Sequence, residues 1–173
     1  MQYHVDQQIV NLLSSQNLPK YEEIPDVGLY RDQVTKYVNK YFEKFPDLFI
    51  TNSMISNYVK QGLLPKCEKK LYRRDHIMRL IMIGFGKEVL STDDLKQMFD
   101  LQVKSYPNDV AYNYFLLELD NVSKYICGIQ DEMRIIGTQN TVEKNLLRNT
   151  VIALTHKLYI TLSLKCLKIK DEN

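Results

Sequence analysis

Apolar positions recur every three or four residues along most of this chain, and glycine and proline are scarce, which predicts a largely helical protein. Tyr3–Leu13 has the spacing of a short amphipathic helix through Val5, Ile9, Leu12 and Leu13, and Ser14–Val27, with two prolines and Gly28 close after, reads as a linker. Leu29–Phe45 is predicted helical, with Tyr30, Val34, Tyr37, Val38, Tyr41 and Phe42 on one side, and Pro46-Asp47 ends it. Thr51 is a predicted N-cap, its hydroxyl taking an orphan backbone N–H, for a second helix over Asn52–Gln61. Gly62 suits the left-handed residue that closes that helix, and Pro65 stops continuation. Lys66–Tyr72 is short, basic and without helical rhythm, which fits a β-hairpin. Arg74–Gly84 resumes helix through Ile77, Leu80, Ile81 and Ile83, and Gly84-Phe85-Gly86 then weakens it, at about 1 kcal/mol per glycine relative to alanine. Ser91 or Thr92 caps the next helix, with Asp93 and Asp94 in the first turn where the dipole favours negative charge.

After the break at Tyr106-Pro107-Asn108 the pattern lengthens. Tyr112, Phe115, Leu119, Val122, Ile126 and Ile129 form one apolar stripe, and Leu147, Val151, Leu154, Leu158 and Leu162 form another. Gly137 and Asn140 lie between them, so the expected structure is a C-terminal helical hairpin, packed on itself or on a partner chain. The resulting division is an N-terminal arm and linker over 1–28, a head over 29–105 and a helical region over 106–173.

Composition adds limits. The 173 residues are 45% apolar and 25% charged, in the range of a folded globular protein. Cys67, Cys127 and Cys166 are far apart and odd in number, which argues against a disulfide framework and for a reducing cytoplasm. Met1–Asp6 has neither a basic run nor an apolar segment of signal-peptide type, and Val151–Ile169 is interrupted by His156, Lys157, Lys165 and Lys168, so no membrane span is expected.

The formal net charge is only +2, so any nucleic-acid argument must rest on local clustering. Lys60, Lys66, Lys69, Lys70, Arg73 and Arg74 are opposed between Lys60 and Arg74 only by Glu68, whereas Asn108–Asn173 carries eight basic against eight acidic residues. A basic run is ordinarily a solvated face. Here it directly follows a capped short helix and a Gly-Leu-Leu-Pro turn, where phosphate oxygens are its natural counterpart.

Ile50 through Pro65, ending Tyr58-Val59-Lys60-Gln61-Gly62-Leu63-Leu64-Pro65, resembles the recognition helix and following turn of MerR-like regulators. Lys70-Leu71-Tyr72-Arg73-Arg74-Asp75-His76-Ile77 resembles their wing's return strand and the entry to the next helix. The wider run from Ile24 to Phe99 resembles more closely an uncharacterised bacterial family known only as a domain of unknown function and generally treated as MerR-like. The resemblance implies an all-α fold with a winged helix–turn–helix head, a small β-hairpin wing and double-stranded DNA bound by a homodimer, the second helix in the major groove and the wing on phosphate. By position, Tyr58 matches the second of the paired aromatics, Lys60 a basic site near the helix end and Tyr72 the wing aromatic. Ser56 stands where an arginine is usual, and Asn57 replaces the first aromatic.

The expected base-edge residues are Asn52, Ser53, Ser56 and Asn57, since Asn can pair with adenine while Ser is permissive. The expected phosphate contacts are Tyr58, Lys60, Lys69, Lys70, Tyr72, Arg73 and Arg74, which position without specifying. For Tyr58, packing against the first helix stands as an equal alternative. No catalytic, cofactor or metal site is expected: Gly84-Phe85-Gly86 lacks the third glycine of a phosphate loop and follows a helix, and His4, His76 and His156 are scattered. Cys127 and Cys166 read as small core residues or, alternatively, as thiol sensors; Tyr112, Tyr114, Phe115 and Tyr125 read as core rather than as a ligand pocket. Two functions stand: a DNA-binding transcription regulator, or a protein-interaction adaptor that keeps the fold without specific DNA binding.

Overall fold

A computed structural model describes residues 6–14 and 16–171. Among them are seven α-helices: α1 (Gln7–Ser14), α2 (Arg31–Lys40), α3 (Asn52–Lys60), α4 (Arg74–Gly86), α5 (Thr92–Ser105), α6 (Asn108–Ile126) and α7 (Val142–Asp171). The Tyr3–Val5 start of the first expected helix, the Met1–Val5 part of the stretch weighed as a signal peptide, His4 and Ser15 lie outside the described residues. The protein is all-α. No described helix is long and apolar enough to cross a membrane.

α4 is the central element. Every residue from Ile77 to Gly86 is buried, including Arg79, whose guanidinium lies 4.6 Å from the Phe99 ring centroid. α2 packs on one side of α4, and α6 and α7 pack on it as well. α6 and α7 make the most extensive helix pairing, and α5 and α1 also lie against α7. The three stretches expected at 1–28, 29–105 and 106–173 therefore share one apolar cluster, running from Ile9 through Ile81 to Leu162.

Gly84 does not end α4, contrary to the expectation of a weakened end there; the helix runs two residues further and ends at Gly86. Both positions require glycine because neighbours occupy the space a side chain would need. A Cβ at Gly84 would stand 2.5 Å from the Phe42 ring, and one at Gly86 would stand 2.6 Å from a Leu95 methyl. Close packing overrides propensity here.

The expected β-hairpin wing is not formed among the described residues; the stretch makes a tight turn instead. Among the described residues there are two isolated antiparallel bridges, Glu68 with Leu71 and Leu29 with Tyr72, and no strand. Leu71 N–H donates to Glu68 O at 2.8 Å, and Lys69 and Lys70 between them hold φ of 49° and 63°. A longer hairpin would pair Arg73 with Lys66. Instead Arg73 is the N-cap of α4 and its N–H donates to His76 Nδ1 at 3.1 Å, so the ladder stops after one bridge.

Candidate nucleic-acid interface

α3 is fixed at both ends by local chemistry. Thr51 Oγ1 accepts from Met54 N–H at 3.2 Å, as a cap should. Gly62 takes φ of 74°, and Leu63 and Leu64 N–H both return to Tyr58 O at 2.9 and 3.1 Å, a left-handed closure that buries both leucines. Ile55 and Tyr58 face the core, while Ser53, Ser56, Asn57 and Lys60 are exposed.

A polar stripe on α2 sets the position of α3. Asn39 clamps Ile50, donating from Nδ2 to its carbonyl at 2.8 Å and accepting its N–H at 2.9 Å. Thr35 donates to Asn52 Oδ1 at 2.6 Å, while Asn52 Nδ2 donates to Asp32. Arg31 Nη1 donates to Ser56 Oγ at 2.5 Å. Asn52 is thus half-buried with both ends of its amide bonded to α2.

The expected phosphate set divides. Lys60, Lys69, Lys70 and Arg73 are exposed, as is Lys66. None of these five, nor Arg31, has a carboxylate within ion-pair distance among the described residues. Arg74 is different: its Nε donates to Ile24 O at 2.8 Å and its guanidinium stacks 5.4 Å from the Tyr21 ring centroid, so it anchors the linker to α4. Tyr58 and Tyr72 are each only 6% exposed. Burial pushes both hydroxyls above the ordinary tyrosine value, with Cys67 adding to the shift at Tyr72. Both rings are core residues, which for Tyr58 is the packing alternative.

Residues 19–115, more than half of the chain, match the family described as domain of unknown function (DUF1836). The chain belongs to that family. The DUF1836 region extends beyond Ile24–Phe99 at both ends and takes in the start of α6. No curated protein and no solved structure matches the chain.

Within the DUF1836 region, Arg31 is the exposed cation that sequence reasoning missed. It begins α2 two residues after Leu29, which exchanges both backbone hydrogen bonds with Tyr72 at 2.9 and 2.8 Å, and it reaches Ser56 on α3. Its signal in the sequence is the four-residue spacing Arg31, Thr35, Asn39, which puts these three polar residues on one face of the helix.

All three cysteines are free. Burial pushes the Cys127 thiol up, away from the thiolate a reactive sulfur needs. Among the described residues no three of His, Cys, Asp and Glu cluster to hold a metal.

His76 is half-buried, and burial holds its imidazole below the ordinary value. Its Nδ1 must be unprotonated to accept the Arg73 N–H. The unfolded chain therefore takes up this proton first. Stability is expected to fall as pH drops below about 6.5, the unfolded value, with the loss complete below the folded value. Urea midpoints measured from pH 7 to pH 5 should show the fall. His76→Gln retains an acceptor at the third helical position and should flatten it; an unchanged profile in the variant would assign the fall to another group.

Proposed function

We propose that the DUF1836 region is a MerR-like winged helix–turn–helix reader of double-stranded DNA, and that the chain acts as a homodimeric cytoplasmic transcription regulator without enzymatic activity. α3 enters the major groove with Ser53, Ser56 and Asn57 outward, and Arg31, Lys60, Lys69, Lys70 and Arg73 contact phosphate. The observation that carries this reading is the exposure of these cations with no carboxylate to neutralise them among the described residues, beside a capped helix whose outer face is small and polar. The Lys69-Lys70 turn adds support. Both residues hold a left-handed conformation that Asn-Gly adopts at lower cost, so the turn keeps its charge at the expense of local strain.

The experiment is sequencing of sheared genomic DNA selected by the full chain at near-physiological salt, beside a variant with Lys60, Lys69, Lys70 and Arg73 changed to Glu. Enriched sites sharing an inverted repeat and lost in the variant are expected. Affinity for such a site should fall with salt, with a log–log slope shallower by roughly 0.9 for each phosphate contact removed. Only monomer in sedimentation at micromolar concentration would sink the homodimer. The commitment of Asn52 to α2 favours one competing reading, the adaptor: weak binding by the folded wild type, with no enriched sequence, would overturn the DNA reader and favour it.

A further inference from the structure

We propose that the cavity between α4, α5, α6 and α7 is a binding site for a neutral, mostly apolar small molecule carrying one hydrogen-bond donor. The cavity has a volume of about 310 Å³. A buried apolar cavity of about 150 Å³ holds benzene, so this one has room for about twelve non-hydrogen atoms. Such a volume lies at the lower end of known ligand pockets.

Its walls are apolar: Met82 on α4, Leu95 and Met98 on α5, Phe115 on α6, Leu147 and Val151 on α7. Of the four aromatics weighed as pocket residues in the sequence, Tyr114 and Phe115 line it, whereas Tyr112 is fully buried with its hydroxyl bonded to Pro19 O and Tyr125 is exposed. Gly137, Thr138 and Gln139, from the segment joining α6 to α7, also line the cavity. Lys144 holds that segment, donating to Ile136 O at 3.0 Å and Gln139 O at 2.8 Å, with its Nζ 5.0 Å from the Tyr114 ring centroid.

Two features set the ligand's chemistry. The charged groups at the rim are already committed: Lys144 as above, and Glu143 through a 2.6 Å hydrogen bond from Ser105 Oγ. The walls themselves are apolar, and a ligand's charge buried among them would lose its hydration without replacement, so a neutral ligand is favoured. Gln102, 8% exposed, is also a lining residue. Its Nε2 donates to Tyr106 O at 2.7 Å and Asn108 Oδ1 at 3.3 Å. The Tyr106 carbonyl can only accept, which fixes the amide orientation, and Gln102 Oε1 is left buried without a donor. Native proteins rarely leave such an atom unpaired; it is closed to solvent, so an O–H or N–H of a ligand satisfies it when the Gln102 side chain turns into the cavity.

The inference stands apart from the DNA-binding reading and is tested separately. The full chain is titrated with 1-naphthol, which has a suitable size and one donor, and with 1-naphthalenesulfonate as the charged comparator, followed by calorimetry and by the methyl NMR signals of the methionines. One saturable site is expected for 1-naphthol, with the Met82 and Met98 methyls shifting and the sulfonate binding at least tenfold more weakly. Leu147→Trp and Ala111→Leu, each adding volume at the lining, should weaken 1-naphthol at least tenfold in whichever remains folded. Absence of saturable binding to the folded wild type overturns the proposal, as does saturable binding that leaves both methyls unmoved. The methyl readout on wild type decides the matter even if both filled variants unfold.

Discussion

Glu118→Ala is expected to destabilise the protein by about 3 kcal/mol, with a matching fall in its urea midpoint at unchanged slope. Glu118 has no exposed surface, yet it carries an ion pair: Arg148 Nη1 lies 2.9 and 3.3 Å from its two oxygens. Tyr114 Oη donates to the same carboxylate at 2.6 Å and Asn121 Nδ2 at 3.4 Å. Removing one partner of a buried pair costs about 3–5 kcal/mol because the other charge loses its compensation. The Arg148 side chain is 20% exposed and keeps a 3.0 Å bond to Arg134 O, which places the effect at the lower end. The carboxylate also organises the segment between α6 and α7. Asn121 receives Arg134 N–H at 3.1 Å, returns Nδ2 to Arg134 O at 2.9 Å and accepts from Gln130 at 2.9 Å. Hydrogen exchange in residues 130–136 should therefore quicken in Glu118→Ala. The double variant Glu118→Leu with Arg148→Met should be less damaging than Glu118→Ala alone, since it leaves no unpaired charge. Equal stability of wild type and Glu118→Ala would show that solvent reaches the pair.

Gly84→Val is expected to cost about 3 kcal/mol, although valine forms helix better than glycine. The first added carbon would lie 2.5 Å from two atoms of the Phe42 ring and 3.3 Å from Leu48 O. Phe42 is fully buried and packs edge-on to Phe85, ring centroids 5.5 Å apart, so the ring has nowhere to move. The strain falls on the contact between α4 and the end of α2, the helix whose polar stripe holds α3. Phe42→Leu in the same chain should recover part of the loss in thermal unfolding. If Gly84→Val instead proves neutral or stabilising, α2 is free to shift away from α4.

The elements that could be read from the sequence are those fixed within a few residues. Thr51, Gly62 and Pro65 bound α3 through a hydroxyl cap, a left-handed closure and a missing N–H, all local, and the expected Asn52–Gln61 lies within one residue of the observed Asn52–Lys60. Ser91 likewise caps α5, its Oγ accepting Asp94 N–H at 3.1 Å. The apolar stripe expected over Tyr112–Ile129 falls inside α6 as far as Ile126, with Ile129 exposed beyond the helix end, and that of Leu147–Leu162 falls inside α7, because a 3.6-residue period needs no knowledge of the partner.

What the sequence alone determined is thus the helical class, the bounds of α3 and the concentration of positive charge after it. Tertiary structure decided which of those charges and polar groups remain outward. Asn52 and Arg74 are polar residues in a polar stretch, yet one is bonded to Asp32 and Thr35 and the other to Ile24, fifty residues away in sequence. Arg31 joins the α3 surface through Ser56, a contact across twenty-five residues. The Glu68–Leu71 turn extends into no hairpin because Arg73 N–H turns to His76, and position 84 of α4 requires glycine because Phe42 fills the space of a side chain. Periodicity and capping act within a turn or two of the chain, whereas a hydrogen-bond partner or an occupied volume is supplied by whichever distant segment the fold brings alongside.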